Sequence, residues 1–131
     1  MRRMGLLLPF GLVIVLGLLA DTGAQPAGMK RTAVLDADMA GMQDQIAHMW
    51  VADIPPGAAT GVHRHPTPRF VYVISGAVTL EIDGQAPRTF KTGEGFQEVP
   101  DVAHNFRNAS GSEPARALGF QIAGKGQALQ Y

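Results

Sequence analysis

From about residue 31 onward, apolar positions come in short runs separated by closely spaced turn residues. The run Ala77–Ile82 is the clearest: Val78, Leu80 and Ile82 alternate with Thr79 and Glu81. A period of two is that of a strand with one buried face. The same reading predicts strands over Arg31–Leu35, Ile46–Ile54, Val62–His65, Phe70–Ile74, Arg88–Lys91, Phe96–Val99, Asn105–Arg107 and Ala115–Ile122. Pro55-Pro56-Gly57 closes the second of these, and Pro66-Thr67-Pro68 interrupts the chain after Val62–His65. Asp36 to Gln45 is polar and contains Gly41, which predicts a loop. Asp83-Gly84 has the composition of a two-residue hairpin turn, since both positions tolerate positive φ. No stretch after residue 25 keeps a helical period of useful length. Many short strands with Gly/Pro turns predict an all-β sandwich or barrel, without internal repeats.

The first residues follow another pattern. Arg2 and Arg3 precede a nearly uninterrupted apolar stretch, Gly5 to Leu19, followed by the small and polar residues Asp21-Thr22-Gly23-Ala24-Gln25. This is the layout of a secretory signal peptide, with cleavage expected after Ala24. The apolar run is shorter than the ~20 residues a spanning helix needs, which argues against a retained membrane anchor. The expected organisation is a signal peptide over residues 1–24 and one domain over 25–131, exported to the periplasm or secreted. The chain has no cysteine, so neither a disulfide nor a lipid-bearing cysteine contributes. Lys+Arg and Asp+Glu both number 11, for a formal net charge of zero. That balance supplies no basic patch for nucleic acid. A domain this small buries a modest core, and a homodimer extending its sheets is expected to enlarge it.

The candidate chemistry lies in Gly57-Ala58-Ala59-Thr60-Gly61-Val62-His63-Arg64-His65-Pro66-Thr67-Pro68-Arg69, closed by Gly76 and followed downstream by His104. His-x-His on an extended strand sends both imidazoles to one face. A third histidine from a later strand supplies three nitrogens around one point, which is the donor set of a mononuclear metal site with open positions. The fourth histidine, His48, stands in Ala47-His48-Met49-Trp50 outside any such pattern and is read as structural or exposed.

This arrangement resembles the first motif of the cupin superfamily, Gly-x5-His-x-His-x3-Glu-x6-Gly. Gly57, His63, His65 and Gly76 fall in register with it, and Arg69 stands at the Glu position. Gly93, Pro100, His104 and Asn108 match the second motif loosely, with Asp101 where its turn usually carries Gly. The resemblance covers roughly residues 30–123 and is to small single-domain bacterial cupins. It implies a double-stranded β-helix, a jelly-roll barrel. It also implies a divalent iron, manganese, nickel or zinc ion on His63, His65 and His104.

Arg69 leaves the donor set open. A guanidinium donates only and repels a cation at contact distance. Three arrangements are compatible with it: three histidines alone, as in cupin-type thiol dioxygenases; Glu98 supplying the missing carboxylate; or a metal-free pocket in which Arg69 and the histidines bind an anion. Glu98 and Gln97 are strand neighbours, so only one can face the pocket, and the resemblance favours Glu98, either as ligand or with Arg69 as a substrate contact. The functional classes are correspondingly a dioxygenase-like or isomerase-like enzyme acting on a small organic, possibly anionic, molecule; a non-catalytic ligand- or metal-binding module; and an interaction protein that keeps only the barrel.

Overall fold

The computed structural model describes residues 28–131, so the expected signal peptide over 1–24 lies outside the described residues. The chain forms β1 (Lys30–Asp38), β2 (Gln45–Ile54), β3 (Ala59–His63), β4 (Arg69–Ser75), β5 (Ala77–Ile82), β6 (Arg88–Lys91), β7 (Gly95–Glu98), β8 (His104–Asn108) and β9 (Ala115–Gly124). They pair antiparallel into two sheets, ordered β1-β2-β9-β4-β7 and β3-β8-β5-β6. No helix occurs among the described residues. This is the all-β, jelly-roll architecture expected from the strand pattern.

Three local expectations need correction. The loop expected over Asp36 to Gln45 is shorter, because β1 continues to Asp38 through the cross-strand pairs Asp36↔His48 and Asp38↔Ile46. Asp83 and Gly84 do make a turn, closed by Gln85 N donating to the Ile82 carbonyl, but they do not join the strands directly. Ladder pairing resumes only at Leu80↔Arg88, beyond Pro87, which has no N–H to give. The third strand also ends earlier than expected, at His63.

Strand alternation sorts the two faces. Along β4, Arg69, Val71 and Val73 are buried while Phe70, Tyr72 and Ile74 are exposed. The core joins Trp50, Ile54, Val71, Val73, Val78, Leu80, Phe90 and Phe106. Phe90 stacks on Phe96 with ring centroids 4.1 Å apart. β9 turns unusually small groups inward: Ala115, Ala117, Gly119 and Ala123. At Gly119 the reason is Trp50, its register partner. A Cβ at Gly119 would stand 2.4 Å from the indole ring, a distance no side chain can occupy. The glycine therefore lets the one tryptophan lie flat across β9 and form a wall of the site.

Candidate metal centre

Four strands carry or adjoin the site. His63 is the last residue of β3 and pairs across the ladder with His104, the first of β8. His65 lies two residues past the end of β3, yet the alternation persists: Val62 and Arg64 are exposed, and His63 and His65 are buried. Glu98 ends β7 and is the register partner of Arg69 at the start of β4. His63, His65, Glu98 and His104 thus converge, each offering one ligand atom, and all four atoms lie within 4.8 Å of one another. His65 is fully buried and Glu98 is 3% exposed.

Hydrogen bonds fix how the rings present themselves. His63 Nδ1 lies 3.0 Å from the Gly61 carbonyl, His65 Nδ1 3.0 Å from the Leu129 carbonyl, and His104 Nδ1 2.8 Å from the Val102 carbonyl. A carbonyl only accepts, so each Nδ1 carries the proton. In a neutral ring Nε2 is then a bare lone pair. The three Nε2 atoms meet inside the barrel, with those of His65 and His104 3.2 Å apart. Glu98 Oε2 stands 2.9 Å from His65 Nε2 and 3.6 Å from His104 Nε2. With all three rings neutral, acceptor faces acceptor, and His63 Nε2 and Glu98 Oε2 have no hydrogen-bond partner although buried. Something positive is required at their centre. Two donors bound to one ion at about 2.1 Å lie roughly 3.0–3.4 Å from each other for right or tetrahedral angles, close to the spacing of His65 and His104.

The protonation of His63, His65 and Glu98 agrees with a ligating state. Burial pushes the His63 imidazole down to about 4 and lowers His65 as well, against the pull of the neighbouring carboxylate. Burial alone would raise Glu98, but contacts with His104 and His65 and the Arg69 charge outweigh it and hold the carboxyl below the usual range. His104 moves the other way: burial lowers it, and Glu98 more than reverses that.

Arg69 faces inward and is 3% exposed. Its Nε and Nη2 donate to Gln121 Oε1 at 3.1 and 3.0 Å, and Nη2 also reaches the Leu129 carbonyl at 3.2 Å. Its guanidinium lies 4.8 Å from the centre of the Trp50 ring, a cation–π contact. Nε is 3.9 Å from Glu98 Oε2. Burial therefore brings its pKa down to about 9, opposed by Glu98. A cavity of about 30 Å³ adjoins the cluster, lined among others by Arg31, Trp50, Thr60, His63, Arg69 and Glu98.

Of the arrangements that Arg69 leaves open, the structure brings Glu98 to the three imidazoles. Arg69 sits beside the carboxylate, across one rung of the ladder. His48 is elsewhere, hydrogen-bonded to Asp36 at 2.8 Å. The stretch Asn105–Asn108, which has the composition of a polar rim, is divided between roles: Phe106 enters the core, and buried Asn108 donates to the Ile54, Pro55 and Glu113 carbonyls. Two contributors escape the motif search. Gln121 is a polar residue at an inward position of β9 and was detectable by its alternation with Ala117, Gly119 and Ala123. Leu129 acts through its backbone carbonyl, for which side-chain patterns carry no signal.

Comparison with known proteins agrees with this geometry. The family model described as Cupin domain matches residues 50–120. The chain belongs to the cupin family. Among solved structures, this cupin is similar to a cupin-like protein of Thermotoga maritima, with TM-score 0.60 and 20% identity over 73% of this chain and 74% of that one. It also resembles a cupin domain from Bordetella pertussis, with TM-score 0.57 and 24% identity over 76% of this chain and 97% of that one. The DMSP lyase DddQ of Ruegeria pomeroyi shares the fold at TM-score 0.61 and 18% identity, covering 79% of this chain and 50% of the lyase. Protein SchB of Streptomyces halstedii is 39% identical over 66 residues, which are 50% of this cupin and 47% of SchB. The matched part of this cupin thus spans about half the length of that curated relative.

Proposed function

We propose that the protein is an exported cupin that binds one divalent first-row metal ion through His63, His65, Glu98 and His104 and presents it to a small anionic organic molecule. The observation that carries this reading is the meeting of three imidazole Nε2 atoms and a carboxylate at a buried point, where His63 Nε2 and Glu98 Oε2 have no hydrogen-bond partner. Three imidazole nitrogens and one carboxylate oxygen suit iron, manganese, nickel or zinc. Such an ion supplies open coordination positions and Lewis-acid polarisation of a bound ligand. A metal-free anion pocket fits less well, because Glu98 would repel the anion from the centre of the cluster.

The chain's own residues then have distinct tasks. The Gly61, Leu129 and Val102 carbonyls keep the three rings in the ligating tautomer. Arg69 and Arg31 bring positive charge to the cavity wall, and Trp50 gives it an apolar face. The cavity has room for roughly two water molecules, so a larger ligand must displace side chains. Arg31 also lines the cavity, on the edge strand β1, whose ladder is made with β2 alone.

The test is metal content. Protein expressed in metal-replete medium and purified without an affinity tag should hold about one ion per chain by mass spectrometry of the metals, and His63→Ala should lose it. Wild-type protein with no more metal than the variant would reject the reading. Incubating the loaded protein with a panel of small carboxylates, with product analysis and oxygen uptake, separates an enzyme from a binding module. Export is read from the purified protein's N-terminus, expected at Gln25.

A further inference from the structure

Two of the three histidines obtain their Nδ1 acceptor locally. His63 uses the carbonyl of Gly61 and His104 that of Val102, each two residues earlier in the same stretch of chain. His65 differs. It lies past the end of β3, and its acceptor is the carbonyl of Leu129, sixty-four residues away. That carbonyl also accepts from Arg69 Nη2 and Gln121 Nε2, each at 3.2 Å. It is the point where the chain beyond β9 joins the cluster.

The segment Gln127–Tyr131 is tied down on both sides of Leu129. Gln127 N donates to the Gly124 carbonyl at 2.9 Å, and Gln130 Oε1 accepts from Arg31 Nη1 at 3.0 Å. Tyr131 and Arg64 exchange backbone hydrogen bonds of 2.9 and 3.1 Å, and Arg64 is the residue between the two motif histidines. The Tyr131 hydroxyl donates to Asp101 Oδ1. Asp101 N in turn donates to the His65 carbonyl at 2.9 Å. Asp101 occupies the left-handed region, at φ 59°. That conformation costs an L-residue about 1–2 kcal/mol, and a glycine would adopt it freely. Glycine has no carboxylate to receive Tyr131.

We propose that Gln127–Tyr131 is a positioning strap for His65. Its Leu129 carbonyl holds the ring with Nε2 unprotonated, and the lock between Tyr131, Arg64 and Asp101 keeps that carbonyl in place. Asp101 and Tyr131 are then positioning residues, acting on the cluster through the strap. The effect on metal affinity rests on the metal reading given above; the effect on the His65 tautomer does not.

Three variants test this: a chain ending at Gly126, Asp101→Gly and Tyr131→Phe. Long-range nitrogen–proton spectra of the metal-free proteins report the tautomer of each imidazole, and competition with a chromophoric chelator gives the cobalt affinity. In the shortened chain, at a pH above the His104 pKa, His65 should lose its single Nδ1–H form while His63 and His104 keep theirs. Cobalt affinity should fall about 10–100-fold, as is usual when the hydrogen-bond partner of a ligand is removed. Asp101→Gly should lower it by roughly 3–10-fold, although it relieves backbone strain and leaves thermal stability unchanged or raised. Tyr131→Phe should match it. An unchanged His65 tautomer in the shortened chain overturns the strap. So does wild-type affinity in both point variants, which decide the matter if the shortened chain does not fold. If wild-type protein binds no cobalt, the metal reading fails, and the tautomer spectra still decide the strap.

Discussion

At the scale of single residues, the site is a contest between a cation and a proton. The ligating forms are neutral imidazole and ionised carboxylate. His63, lowered to about 4, and Glu98, held below its ordinary range, already have these forms at neutral pH. His104 is raised above its ordinary 6.5 by Glu98 and is the last to release its proton. Metal affinity should therefore climb as pH rises through the His104 pKa and level off above it. Zinc titrations from about pH 5.5 to 8.5 should show this, and an affinity flat across that range would contradict it. Arg69 adds a second expectation, since its guanidinium is 3.9 Å from the Glu98 oxygen. Arg69→Met removes the charge at similar length and should tighten divalent-metal binding by about tenfold. It also strands Gln121 Oε1, so the metal-free protein should lose about 1–3 kcal/mol by urea unfolding. Weaker metal binding in this variant would mean that its hold on Leu129 matters more than its charge. His63 and His65 were legible in the sequence because a period of two and two flanking glycines constrain them, and His104 through the resemblance to the second cupin motif. Glu98 was legible as one of three alternatives; the choice among them was not, because it depends on which strand lies beside β4.

At the scale of elements, β9 shows how a strand is shaped by what crosses it. Gly119, its inward glycine, makes space for Trp50. Gly119→Ala should cost about 1–3 kcal/mol by denaturant unfolding, as overpacked core positions do, and should shift the emission of the lone tryptophan. Wild-type stability and emission would show that the indole can move aside without loss. Most strands were legible from alternation: Ala77–Ile82 and Arg88–Lys91 occur as expected. The discrepancies have physical causes. The extension of β1 to Asp38 draws on pairing with β2, a non-local gain that polar composition does not reveal. The delay between the Asp83-Gly84 turn and the first rung of β5–β6 reflects Pro87, which removes one donor from the ladder.

At the scale of the whole molecule, the site fastens both sheets together. His63 and His104 come from the four-stranded sheet, and Glu98 and Arg69 from the five-stranded one. An ion held by both should brace the sandwich. At a free concentration about one hundred times its Kd, it should add about 2.7 kcal/mol to stability. For a domain of this size that corresponds to roughly 10–20 °C in Tm, and the gain should vanish in His63→Ala. Differential scanning calorimetry with and without zinc measures it; equal shifts in both proteins would place the ion elsewhere. The rung that pairs Arg69 with Glu98 has a historical consequence as well. If the ancestral carboxylate stood at position 69, the exchange had a preferred order. An acid gained first at 98 leaves two carboxylates around a dication, whose charges cancel. An arginine gained first at 69 leaves a buried cation facing three imidazoles with no anion at all. The lineage that led here is expected to have passed through the doubly acidic intermediate, and a resurrected protein with Glu at both positions should still fold and hold its metal.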